Sequence, residues 1–91
     1  DAYINKALAY ASINNFNEAQ KILKQSLNLA HNNPGIFYNL GIIALKQKHY
    51  DYAINNFSQA IALKPNLTNA YINRGIAYLK TGDPEKAVLD F

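Results

Sequence analysis

The chain has 91 residues, 49% of them hydrophobic, and nine Lys or Arg against six Asp or Glu give a net charge of +3. The absence of cysteine excludes a disulfide framework and a thiolate metal site, and no apolar run approaches the roughly 20 residues of a membrane span. A charge this mild, with no basic stripe, points away from nucleic acid, which needs a clustered cationic footprint. The lack of thiols fits a reducing compartment such as the cytoplasm, and no basic-then-apolar leader opens the chain.

Taken in order, the apolar spacing is helical almost throughout. It predicts helices near 2–13 and 17–30, then 35–47 and 51–64, then 69–81, with a last helix from about 84 to the end. Asn33 before Pro34 reads as an N-cap followed by proline at the first helical position. Pro65 sits just past a helix end, where the chain must leave the helix. Gly82 suits a left-handed residue in a tight turn, and Asp83-Pro84 repeats the starting signal. Acids gather where second helices start (Glu18, Asp51, Asp83, Glu85), and lysines gather where first helices end (Lys46, Lys48, Lys80). The helix dipole favours both placements, so most of the charge reads as local helix support. Connections of about three to five residues force antiparallel pairs. The expected fold class is all-α, with antiparallel helix hairpins stacked as a right-handed solenoid.

The pairs also echo one another. Tyr3-Ile4-Asn5-Lys6-Ala7, Phe37-Tyr38-Asn39-Leu40-Gly41 and Tyr71-Ile72-Asn73-Arg74-Gly75 stand 34 residues apart. The register continues through Ala19, Ala53 and Ala87, then Leu23, Phe57 and Phe91. Such a period marks a stacked helical array. The small residues let the two helices of a hairpin approach, and the large rings fill the space nearby. The middle copy carries Phe37, Leu40-Gly41, Tyr50, Ala53, Phe57, Ala60 and Pro65. The third carries Tyr71, Gly75, Tyr78, Gly82, Ala87 and Phe91, and the first Tyr3, Ala7, Tyr10, Phe16 and Ala19. In these residues the whole chain resembles the tetratricopeptide repeat family. Lys6 and Arg74 depart from that pattern where Leu is usual, Ala44 where a large residue is usual, and His31 where Pro closes the repeat. The resemblance implies repeats at 1–33 and 34–67 and a partial one at 68–91. Position 91 falls inside a second helix and no polar capping helix is evident, so a fragment of a longer array is expected.

Chemistry has little to work with. His31 and His49 fall in predicted turns, without acidic or thiol company at ligand spacing. Gly35, Gly41, Gly75 and Gly82 form no phosphate-cradling motif, and the acids are scattered. No cofactor, no metal and no enzymatic activity are expected of this stretch.

The resemblance places the first helix of each hairpin on a concave face. It turns inward Ile4, Leu8 and Ala11, then Tyr38, Ile42 and Leu45, then Ile72, Ile76 and Leu79. All are apolar or aromatic, and helical spacing puts each set on one stripe. They either pack against the first helix of the next repeat or form the floor of an apolar groove, and contiguous exposed apolar surface marks a binding site. Asn5, Asn39 and Asn73 each follow the first inward residue. An amide offers both donor and acceptor to a peptide main chain. Similar Asn ladders line the superhelix of tetratricopeptide-bearing O-linked sugar transferases; alternatively, each Asn bonds a neighbouring helix. Relatives that clamp the terminal carboxylate of heat-shock chaperones use Lys where this chain has Ile4, and Asn where it has Leu8. They use Lys and Arg where it has Asn69 and Asn73. Only Asn39 matches, so that ligand is not expected.

The expected function is a protein-interaction scaffold that takes a peptide or amphipathic helix in an apolar groove. Its residues are Ile4, Leu8, Tyr38, Asn39, Ile42, Leu45, Ile72, Asn73, Ile76 and Leu79. Two alternatives stay open: self-association into a homo-oligomer through the chain's end, around Val88 and Phe91, or service as the non-catalytic recruiting arm of a larger enzyme.

Overall fold

The computed structural model describes residues 15–29 and 33–90. They form five helices: α1 (Phe16–Leu29), α2 (Pro34–Lys46), α3 (Tyr50–Leu63), α4 (Thr68–Lys80) and α5 (Pro84–Asp90). The described residues contain no strand. None of their helices is long and apolar enough to cross a membrane. The helix expected near 2–13, His31 and Phe91 lie outside the described residues.

The punctuation acts as its chemistry dictates. The Asn33 side-chain oxygen accepts from the Gly35 N–H at 2.9 Å, with Pro34 opening α2. Glu18, Asp51 and Glu85 stand in the first turns of α1, α3 and α5, and Lys46 and Lys80 in the last turns of α2 and α4. The turns after α2 and α4 are the same motif one period apart. In the first, the His49 N–H donates to the Ala44 carbonyl at 2.8 Å and the Lys48 N–H to that of Leu45 at 3.1 Å. In the second, Asp83 donates to Tyr78 at 2.8 Å and Gly82 to Leu79 at 3.2 Å. This pattern of closing bonds needs a left-handed residue at its centre. Gly82 supplies it freely at φ 83°, whereas Lys48 adopts φ 65° with a side chain attached.

Each helix packs on its neighbours in sequence, and α2 also touches α4. This is the connectivity of a solenoid, in which each unit buries its face against the next. Two apolar clusters result. One joins Ala19, Ile22 and Leu23 of α1 to Ile36, Leu40 and Ile43 of α2. The other joins Ala44 of α2, Ala53 and Phe57 of α3, and Ala70 and Ala77 of α4. Gly41 is obligatory within the α2–α3 hairpin: a Cβ there would lie 2.6 Å from Cε1 of Phe57, inside any tolerable contact. The fold is therefore an all-α solenoid of stacked helices.

Arg74, which stands where Leu is usual, takes a role that a hydrocarbon cannot. Its Nε donates to Asp90 Oδ2 at 2.8 Å, its Nη2 to Oδ1 at 2.7 Å, and its Nη1 to Ser58 Oγ at 3.1 Å. The guanidinium lies 5.5 Å from the Tyr71 ring centroid and 6.0 Å from that of Tyr78. One side chain thus ties α4 to both α3 and α5. Hydrogen bonding to Asp90 raises the already high pKa of Arg74 against the opposing effect of burial. Asp90 is itself buried, so it relies on this partner.

Candidate peptide-binding face

Helices α2 and α4 are the first members of successive hairpins, and their contact defines a shared face. Tyr38, Ile42 and Leu45 are half-buried and pack against the cluster that holds Ala70 and Ala77 of α4. Part of their surface is therefore buried in the cluster that α2, α3 and α4 share, and the remainder is exposed. Asn39, Asn73 and Ile76 are also half-buried, whereas Ile72 and Leu79 are exposed. Ile4, Leu8, Ala11 and Asn5 lie outside the described residues.

Two of the expected residues meet directly. The Asn73 side-chain amide donates to the Tyr38 hydroxyl at 3.1 Å and to the Asn69 carbonyl, one turn back on α4, at 2.9 Å. Both amide hydrogens are thereby engaged, and the side-chain carbonyl is the remaining polar atom of Asn73. One donated bond thus reaches a neighbouring helix and the other stays within α4. Tyr38 is fixed from the other side by Phe57, whose ring centroid lies 5.8 Å away at an interplanar angle of 55°. Tilted aromatic packing and a hydroxyl bond together define the ring's position.

The expected face residues Tyr38, Asn39, Ile42, Leu45, Ile72, Asn73, Ile76 and Leu79 carry no charge, and Lys46 and Lys80 stand in the last turns of their helices. Among the described residues, no group of three or more His, Cys, Asp or Glu is arranged to hold a metal ion. Sequence reasoning missed the Arg74–Asp90 pair. Its available signal was a cation at an apolar position of the period, with an acid 16 residues on, across the next turn.

Comparison with known proteins agrees with this geometry. A family model described as TPR repeat matches residues 43–82. A second model, described as anaphase-promoting complex, cyclosome, subunit 3, matches residues 1–60. A tetratricopeptide repeat-containing protein, trd-1 of Caenorhabditis elegans, is 31% identical over 72 residues, covering 79% of this chain and 9% of its own length. A UDP-N-acetylglucosamine–peptide N-acetylglucosaminyltransferase of Giardia intestinalis is 38% identical over 55 residues, covering 60% of this chain and 4% of its own. The chain thus spans less than a tenth of the length of the curated relatives it matches. Among solved structures, the second TPR of Spaghetti (RPAP3), bound to HSP90 peptide SRMEEVD, superposes with a TM-score of 0.95 at 21% identity. That match covers 99% of this chain and 83% of the other, and it establishes the fold alone. The period, the stacked hairpins and these matches together show that the chain belongs to the tetratricopeptide repeat family, whose fold is that of a protein-interaction scaffold.

Proposed function

We propose that the α2–α4 face binds a peptide or amphipathic helix of a partner protein, within repeats bounded at 1–33, 34–67 and 68–91. The observation that carries this reading is the Asn73–Tyr38 hydrogen bond, a polar pair set among half-buried apolar side chains. Tyr38 accepts from Asn73 and keeps its own hydroxyl hydrogen to donate to a ligand carbonyl. Asn73 keeps its side-chain carbonyl to accept a ligand N–H. One donor and one acceptor suit a peptide main chain, and Ile42, Leu45 and Ile76 supply apolar contact beside them. Asn39 extends the same row by one repeat.

The Spaghetti neighbour carries an acidic chaperone peptide. Here Asn69 and Asn73 offer no cation, so a carboxylate tail would find no charge-assisted partner. The preferred ligand is apolar and neutral. Similarity to the Giardia transferase favours a second reading of the same face, as a recruiting arm that presents peptide substrates to a separate catalytic domain. Peptides selected from a random displayed library against the folded chain test the proposal. Binders must weaken about tenfold or more on Ile42→Asp or Ile76→Asp, the loss typical of a central interface contact. Circular dichroism must show that the helices persist. Unchanged affinity on a folded variant rejects the face.

A further inference from the structure

Consecutive residues of α4 reach in different directions. Asn73 donates to Tyr38 on α2 at 3.1 Å. Arg74, about 100° further round the helix, donates to Ser58 on α3 at 3.1 Å and twice to Asp90 on α5, at 2.8 and 2.7 Å. The rings of Tyr71 and Tyr78, one turn to either side, lie 5.5 and 6.0 Å from the guanidinium and restrict its movement.

These polar contacts matter because of what α4 buries. Its buried residues are Ala70, Gly75 and Ala77, all small. α2 sinks Ile36, Phe37, Leu40 and Ile43 into the core. Large side chains interdigitate and key a helix in one orientation, whereas small ones leave a smoother contact along which a helix can turn or slide. Leu40 is buried at the position that Arg74 takes 34 residues later. Asn56, the counterpart of Asp90, is also buried, but it donates to the Tyr52 carbonyl of its own helix at 2.9 Å. Apolar packing therefore orients α2, and hydrogen bonds orient α4.

We infer that Arg74 is a positioning residue for the α2–α4 face, an inference that rests on reading that face as the peptide site. Held by Asp90 and Ser58, the guanidinium stops α4 from turning about its axis. That keeps the Asn73 amide on the Tyr38 hydroxyl, and with it the acceptor and donor that the two groups hold out to a ligand. The partners of Arg74 lie on α3 and α5, so it acts on the ligand through Asn73.

Replacing Arg74 and Asp90 together by Leu separates position from stability, since a packed apolar pair can stand in for a buried ion pair. The 91-residue variant is expected to bind a library-selected peptide about three- to tenfold more weakly, the worth of one preformed hydrogen bond. In the ligand-free variant the NMR resonances of the Asn73 side-chain amide should shift and its hydrogens exchange faster. In a Tyr38→Phe background the same double substitution should cost no further affinity, because the contact it maintains is already gone. If the double variant does not fold, Ser58→Ala, which removes one bond only, must shift the same Asn73 resonances. Unmoved Asn73 resonances, unchanged affinity, or a loss that adds in full to that of Tyr38→Phe overturns the inference. Failure of the face itself reads differently: affinity is then unchanged on a folded Ile76→Asp variant, whatever Asn73 does.

Discussion

Asn73 on α4 donates to the hydroxyl of Tyr38 on α2, 3.1 Å away and 35 residues earlier in the chain. The bond crosses from one hairpin to the next, so it helps to set their relative placement. It also orients the two polar groups assigned here to a ligand. Tyr38→Phe keeps the ring against Phe57 and removes only the oxygen. It is expected to cost about 0.5–1.5 kcal/mol of stability, the net worth of one hydrogen bond, measured by urea unfolding. Selected peptides should also bind it more weakly. A variant as stable as the parent, with unaltered peptide affinity, would remove Tyr38 from the account.

The Arg74–Asp90 pair predicts a different pattern. Arg74→Leu restores the residue usual in the family but strands a buried carboxylate, and should destabilise the chain by about 3 kcal/mol. Arg74→Leu combined with Asp90→Leu should recover most of that loss, because a packed apolar pair can replace a buried ion pair. Chemical denaturation of the two variants checks the order. Hydrogen exchange should show that the single variant loosens α5 first, since that helix has α4 as its packing partner among the described residues. If the single variant were the more stable of the two, the pair would have no structural role.

Lys48 holds the left-handed conformation that Gly82 holds one period later. Lys48→Gly is expected to raise stability by about 0.5–1 kcal/mol, relief of Cβ strain outweighing the freedom that glycine gains in the unfolded chain. Thermal unfolding reads the change directly, and a lower midpoint would contradict it.

Gly41→Ala tests the close approach inside the α2–α3 hairpin. The new methyl meets three atoms of the Phe57 ring within 2.9 Å, so the ring or a helix must shift. A loss of about 1–3 kcal/mol is expected from overpacking, and Phe57→Leu in the same chain should return part of it. If the double variant were no better than the sum of the two single ones, the clash would lie elsewhere.

These residues also show where the sequence was legible. Asn33, Pro34, Pro65 and Gly82 announced the helix ends because their backbone chemistry is local. Lys48 did not, since a left-handed lysine is set by the hydrogen bonds that close α2 and not by its own preference. Arg74 stood out as a departure, yet its partner lies across a turn on another helix, and periodicity reports faces rather than pairs. The apolar character of Tyr38, Ile42, Leu45, Ile72, Ile76 and Leu79 was plain. How each divides between stacking and groove depends on which helix covers it, and only the packing of α4 on α2–α3 separates the two. Residue type alone allows Asn73 either a ligand or a neighbouring helix, and its donors bond Tyr38 and Asn69.

The central claim is that the α2–α4 face takes a neutral, apolar peptide. The most direct test maps a library-selected peptide onto the chain by NMR shifts, alongside the acidic sequence SRMEEVD carried by the Spaghetti neighbour. The predicted result is that the selected peptide perturbs Tyr38, Ile42, Asn73 and Ile76 and loses affinity on a folded Ile76→Asp variant, while SRMEEVD causes no shift. Tight binding of SRMEEVD, or perturbation confined to other surfaces, would contradict the account.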